Sequence, residues 1–257
     1  MKNFIFLLLS LWLLELQAYC IDEKKLIDMT YPFAEDTLHW PTAKPFKLEK
    51  VNEGVTPQGY WYSSYNYSAS EHVGTHLDAP FHFAQGRWTT DQIPLEKTIG
   101  PGVVIDVSRR AEASRDYQLQ VVDIRTWERR YGKIPSGAIV LMYSGWGKFW
   151  GDRKRYFGAD QEGDVANLHF PGLSKDAALF LINERKIKAA GTDTASIDYG
   201  ASRDFIVHQT FGGANTPILE NVANLDRLPA KGATIFAIPM KIKGGSGAPL
   251  RIFALLP

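Results

Sequence analysis

Cysteine is almost absent: the 257-residue chain has one, Cys20. A single thiol excludes an internal disulfide framework and any site built on several cysteine ligands. Charge of either sign is also lacking in excess, since 29 Lys and Arg against 28 Asp and Glu leave a formal net charge of +1. That balance gives no electrostatic footprint for nucleic acid or an anionic membrane, and neither is expected as a partner. No apolar run is long enough to span a bilayer, which takes ~20 residues. The eleven-residue stretch Phe4 to Leu14 instead follows Lys2 and precedes Glu15, Gln17 and Ala18-Tyr19-Cys20. A positive start, an apolar centre and a small-residue exit make a secretory signal peptide over residues 1–20. The mature chain, 21–257, is then expected to be thiol-free, secreted or luminal, and unattached to membrane. Also missing are G-x-S-x-G, G-x-x-x-x-G-K-[ST] and G-x-G-x-x-G, so no serine elbow, phosphate loop or dinucleotide fingerprint is present. Gly244 to Gly247 is glycine-rich without those spacings and reads as a tight turn.

What is present has the organisation of one domain over 21–257, with no repeat, low-complexity stretch or long linker. Short β-branched or aromatic runs bounded by Gly or Pro predict strands at 59–67, 103–107, 138–143, 234–238 and 251–255, with another strand in 188–193. Two helices are predicted. One starts at Asp123 as N-cap, buries Ile124, Trp127 and Tyr131 and ends at Gly132; the other starts at Ser174 and buries Ala177, Ala178, Leu181 and Ile182. The fold class is mixed, α/β or α+β, with more strand than helix. Asn66-Tyr67-Ser68 is a glycosylation sequon.

Three of the six histidines fall within residues 72–82. His72, Gly74, His76, Asp78, Pro80 and His82 occupy alternate positions. An extended chain would turn these to one face and Val73, Leu77, Phe81 and Phe83 to the core. Reach restricts the picture. A straight strand would hold His72 and Asp78 ~20 Å apart, too far to share one ion, whereas His76 and Asp78 can share it. His72 joins only if the chain bends, and Gly74 permits a bend. Two imidazoles and a carboxylate suit Zn²⁺, with Mn²⁺ or Fe²⁺ as alternatives. The competing reading is a polar strand face of hydrogen-bonded histidines.

His72-Val73-Gly74-Thr75-His76-Leu77-Asp78-Ala79-Pro80-Phe81-His82 resembles the signature of the cyclase family of metal-dependent hydrolases, which includes bacterial-type kynurenine formamidases and isatin hydrolases. The resemblance continues at 169–174, at 191–198, in the twelve-residue spacing of His208 and Glu220, and at Leu38-His39-Trp40-Pro41. It implies a swivelling β/β/α-type domain around a central mixed sheet or flattened barrel, assembled as homodimers or homotetramers with sites near the interface. It implies His72, His76 and Asp78 as primary metal ligands, and Asp78 bridging to a second ion held with His208 and Glu220. It further implies His82 as catalytic acid/base and Trp40 as a substrate-stacking residue. One or two divalent ions are therefore expected. Read as ordinary residues, His208 would be hydrogen-bonded in the core, Glu220 would cap a helix or pair with Arg227, and His82 would be another ligand.

The chemistry follows from the donors. A bound divalent cation lowers the pKa of a water to ~7 and polarises a carbonyl. A histidine near its ordinary pKa can move the proton from water to a leaving nitrogen. The resemblance implies a small aromatic amide as substrate, with N-formylkynurenine, cleaved to kynurenine and formate, placed first. A cyclic amide or lactone of the isatin type is the alternative, and an idle ligand-binding protein on the same scaffold a third reading. Trp61 and Tyr62 are candidate helpers to Trp40, though core packing is the simpler expectation for both. Arg87 and Arg203 are the candidates to grip a substrate carboxylate.

Overall fold

The computed structural model describes residues 21–257; the expected signal peptide, with Cys20, lies outside the described residues. The strands, in chain order, are β1 (Leu26–Asp28), β2 (Lys47–Val55), β3 (Trp61–Ser68), β4 (His76–Asp78), β5 (Ile99–Asp106), β6 (Gln118–Leu119) and β7 (Ile139–Tyr143). They continue with β8 (Gly172–Leu173), β9 (Ala189–Thr192), β10 (Ile218–Glu220), β11 (Lys231–Pro239) and β12 (Gly247–Leu255). The helices are α1 (Ser108–Ala113), α2 (Val121–Tyr131), α3 (Arg153–Phe157), α4 (Lys175–Arg185) and α5 (Ile206–Gly213).

The main sheet runs β12-β11-β5-β7-β9-β10-β4, and β4 pairs back onto β12, closing a seven-strand ring. β1 shares the β4 edge of β12. Pairings from β5 through β10 are parallel and the others antiparallel, so this is a mixed sheet in a mixed α+β fold. β5 and β7 are almost continuously apolar because both of their faces are covered. Val104, Ile139, Leu141, Ile235 and Ile252 point into the ring with Leu77. Val103, Ile105, Val140 and Met142 point outward, against Ile124 and Trp127 of α2 and Ala178 and Leu181 of α4. No helix among the described residues is long and apolar enough to cross a membrane.

Ser174 caps α4 as expected, its Oγ accepting from the Ala177 N–H at 3.2 Å. The start of α2 differs. The helix begins at Val121 with Gln120 as N-cap, and Asp123 stands at the third helical position, where its carboxylate accepts the Gln120 backbone N–H at 2.8 Å. A carboxylate there reaches back to the cap, which makes it resemble a cap in the sequence. The aromatic run at 59–67 is a strand, but it pairs only with β2 in a two-stranded ribbon outside the ring. Trp61 and Tyr62, 64% and 48% exposed, therefore lie outside the core and outside the lining of the cavity that holds Trp40. Asn66 of the sequon is exposed on the same ribbon.

Candidate metal centre

β4 supplies the first donors. Its alternation turns His76 and Asp78 to one side and Leu77 to the core. On one flank Glu220 of β10 is the register partner of His76, and on the other Gly247 of β12 is the partner of Asp78. Cross-strand partners share a face, so the ladder brings Glu220 beside His76 across 144 positions of sequence. Glu220 Oε2 lies 3.4 Å from His76 Nε2.

The extended reading of 72–82 holds only for His76–Asp78. Gly74 has φ +57°, and a Cβ there would meet the Phe33 ring and the Thr37 methyl, so the bend depends on glycine. It carries His72 back to Asp78, with Nδ1 2.6 Å from Oδ1. Beyond β4, Pro80 opens a 3₁₀ turn, Pro80–His82, which ends the alternation. Phe81 is consequently 40% exposed, and Phe83 lines the cavity instead of the core.

His208 comes from α5. Asp198 accepts the first N–H groups of that helix, Val207 N on Oδ1 and His208 N on Oδ2, both at 3.0 Å. The same Oδ2 accepts the His208 ring Nδ1–H at 2.7 Å. His208 Nε2 is thereby left as a lone pair, 3.1 Å from both Asp78 Oδ2 and Glu220 Oε1. His76 is set alike: its Nδ1 donates to the Gly74 carbonyl at 2.9 Å. Its Nε2 is buried without a hydrogen bond, though Asp78 Oδ1 is 3.1 Å away.

Lone pairs and carboxylate oxygens converging on one buried point repel unless positive charge joins them. The protonation equilibria express this. Burial disfavours the charged form of His76, but Asp78 and then Glu220 outweigh it and push its pKa up to about 10. His208 is likewise raised, against burial, by its hydrogen bonds to Asp198, Asp78 and Glu220. Burial would raise Asp78 and Glu220, yet both are held low, Asp78 by His72, His76 and His208, and Glu220 by His208 and His76. A divalent cation would supply the same charge without protons, and the N/O donor set suits one. Among the described residues, two donor groups each bring one ligand atom per residue within 4.8 Å of one another: His76, Asp78 and Glu220, and His72, Asp78 and His82. Asp78 belongs to both. Sheet pairing brings Glu220 to His76 and the turn at Pro80 brings His82 to His72, beside the contacts of His208 with Asp78 and Glu220.

His82 is the exposed member of the set. Its ring stacks on His72, with centroids 4.0 Å apart at 23°. Although one edge meets solvent, the packing around the ring pushes its pKa down to about 4; the neighbouring His72 and His208 add to this against Asp78.

All six residues line one cavity of about 220 Å³. Its other walls are largely apolar, with Leu38, Trp40, Phe83, Phe157 and Phe205 among them. Trp40 meets Phe205 edge-on at 6.0 Å. Among the described residues, no lysine or arginine lines the cavity. Arg203 is occupied by the carbonyls of Ser202 and Ala166, and Arg87 is elsewhere on the surface. The sequence reading gave no role to Asp198 or to the aromatic wall residues Phe83 and Phe205. Asp198 closes the 191–198 segment that carries the resemblance, but its partner His208 is ten residues further on and no local pattern joins the two.

The family model described as "Putative cyclase" matches residues 27–199. The chain is 36% identical over 195 residues to the isatin hydrolase of Roseibium aggregatum, covering 73% of this chain and 72% of that protein. It is 29% identical over 229 residues to the kynurenine formamidase of Bacillus mycoides, covering 88% and 94%. The solved structure of isatin hydrolase A from Ralstonia solanacearum matches with a TM-score of 0.82 at 35% identity, over 90% of this chain and 92% of that one. The chain belongs to the cyclase family of metal-dependent hydrolases. It is an enzyme, which sets aside the idle-scaffold reading.

Proposed function

We propose that the protein hydrolyses a small, uncharged cyclic aromatic amide of the isatin type, adding water across the ring C–N bond to give an aminoaryl keto acid. The observation that carries this reading is the wall of the cavity, aromatic and without a cation among the described residues. N-formylkynurenine brings an amino-acid head, and burying its carboxylate without a counter-charge is costly. A neutral bicyclic amide needs none. The higher identity to a protein named isatin hydrolase than to one named kynurenine formamidase supports the same order.

His72, His76, Asp78, His208 and Glu220 would hold one or two divalent cations, Zn²⁺ first and Mn²⁺ as the alternative. When bound, such a cation supplies Lewis-acid polarisation of the substrate carbonyl and a water acidified to a pKa of ~7. Asp198 and the Gly74 carbonyl keep His208 and His76 in the tautomer that offers Nε2. His82, neutral and open to the cavity, would take a proton from water and return it to the leaving nitrogen. Trp40, braced by Phe205, would stack on the ring.

The experiment is a side-by-side assay of the zinc-loaded protein on isatin and N-formylkynurenine. A kcat/KM for isatin higher by about 100-fold or more is expected, the scale of discrimination by an unpaired buried charge. A preference for N-formylkynurenine would reverse the substrate order. No hydrolysis of either would remove the aromatic-amide reading.

A further inference from the structure

His72 is set differently from the other two imidazoles of the centre. We propose that Glu71, Ser246 and Gly247 form a seat that holds His72 as its Nε2–H tautomer, so that it presents Nδ1 to a cation while His76 and His208 present Nε2. This rests on the cation reading above and concerns how the chain prepares one donor for it.

The tautomer follows from counting protons. Ser246 Oγ carries one, and Glu71 Oε2 lies 2.6 Å from it. That oxygen also accepts two backbone N–H groups, which can only donate, so it accepts from the hydroxyl as well and the hydroxyl proton is committed to Glu71. Ser246 Oγ is also 3.1 Å from His72 Nε2. With its proton committed, the hydroxyl accepts there and the ring donates. Nδ1 is then the nitrogen left to face Asp78 Oδ1, at 2.6 Å. That approach is tolerable only if a proton or a cation supplies positive charge between them.

The seat is built into the sheet closure. Glu71 Oε2 also accepts the backbone N–H groups of Ser246 and Gly247, at 3.0 and 3.3 Å, which fixes the loop that carries the hydroxyl. The Ser246 carbonyl accepts from Ala79 N at 2.9 Å. A Cβ on Gly247 would lie 2.4 Å from His72 Cε1 and 2.9 Å from both ring nitrogens, so the ring rests directly on this glycine. Gly247 is in turn the register partner of Asp78. One ladder therefore places the carboxylate, the glycine under the ring and the serine at its far nitrogen. Hydrogen bonds to the remote nitrogen of a metal-binding histidine fix its orientation, and their loss typically lowers metal affinity about 10–100-fold. Glu71 and Ser246 are thus positioning residues; neither is placed to touch substrate.

Two measurements test this. In the unaltered, zinc-loaded protein labelled with ¹⁵N-histidine, long-range ¹H–¹⁵N spectra should show His72 protonated at Nε2 with Nδ1 on zinc. His76 and His208 should show the reverse pattern. In chelator competition, Ser246→Ala should bind zinc about 10–100-fold more weakly, and Ser246→Thr, which keeps the hydroxyl, should recover most of that loss. Zinc bound through His72 Nε2, or wild-type zinc affinity in Ser246→Ala, overturns the proposal. An unaltered protein that takes up no zinc overturns the underlying cation reading instead, and the two failures are thereby distinguished.

Discussion

Asp198 Oδ2 accepts two N–H groups of one residue, the backbone N–H of His208 at 3.0 Å and its ring Nδ1–H at 2.7 Å. A single carboxylate thus sets both the start of α5 and the face that His208 turns to Asp78 and Glu220. Asp198→Ala would leave three buried N–H groups unpaired, each costing about 1–3 kcal/mol. A marked fall in Tm is expected. Asp198→Asn keeps the shape but loses the charge, and zinc affinity should fall about 10-fold or more in chelator competition. Unchanged affinity would show that Asp198 serves the helix alone.

Stability without a cation should depend on pH with a definite sign. His76 is raised from 6.5 to about 10 in the folded protein. A raised imidazole contributes stability that is fully present below its unfolded value and lost as pH rises through the folded one. Metal-free protein should therefore lose Tm between pH 7 and pH 10. Zinc replaces the proton, so the loaded protein should lack this slope, and zinc binding near neutral pH should release protons. Melting curves in EDTA and in zinc at three pH values decide it; a flat profile in EDTA contradicts the assignment.

Chelation should abolish isatin hydrolysis, and added Zn²⁺ or Mn²⁺ should restore it. Full activity in a sample shown by elemental analysis to hold no metal would end the metal-dependent mechanism.

His82 shares a donor group with His72 and Asp78, yet it is the exposed member and stacks on His72. His82→Ala should retain zinc and lose about 10²–10⁴-fold in kcat, the usual worth of a positioned acid/base. Loss of zinc together with rate would make His82 a ligand.

Gly74→Ala places a Cβ 3.0–3.2 Å from Phe33 and Thr37 atoms at a positive φ. The strain is expected to cost about 1–3 kcal/mol and to move His72 relative to His76. Thermal melting and zinc affinity should fall together. A stable variant with normal affinity would mean that the bend does not depend on glycine.

Much of the fold was legible where the signal is local. The β-branched runs at 103–107 and 138–143 became β5 and β7, and Ser174 starts α4 and Gly132 ends α2 as read. Local signals also misled. Asp123 looked like a cap because it bonds one from three residues away, and the aromatics of β3 looked like core because sequence cannot show that a ribbon stands outside the ring.

By itself the sequence determined the chemistry on offer: no thiol in residues 21–257, no charge excess, and an imidazole-carboxylate segment with a glycine at its bend and a proline at its end. Those properties lie within a few residues of chain, where side-chain type and backbone freedom decide them. Only the tertiary structure decided which donors meet. Glu220 reaches His76 through the β4–β10 register, and Gly247 and Ser246 reach His72 through the β4–β12 closure. Asp198 meets His208 at a helix start, and the cavity lining, among the described residues, holds aromatic rings and no lysine or arginine. Each of these is a contact between distant segments, set by how strands align when a sheet closes, and such alignment leaves no periodic mark in the chain.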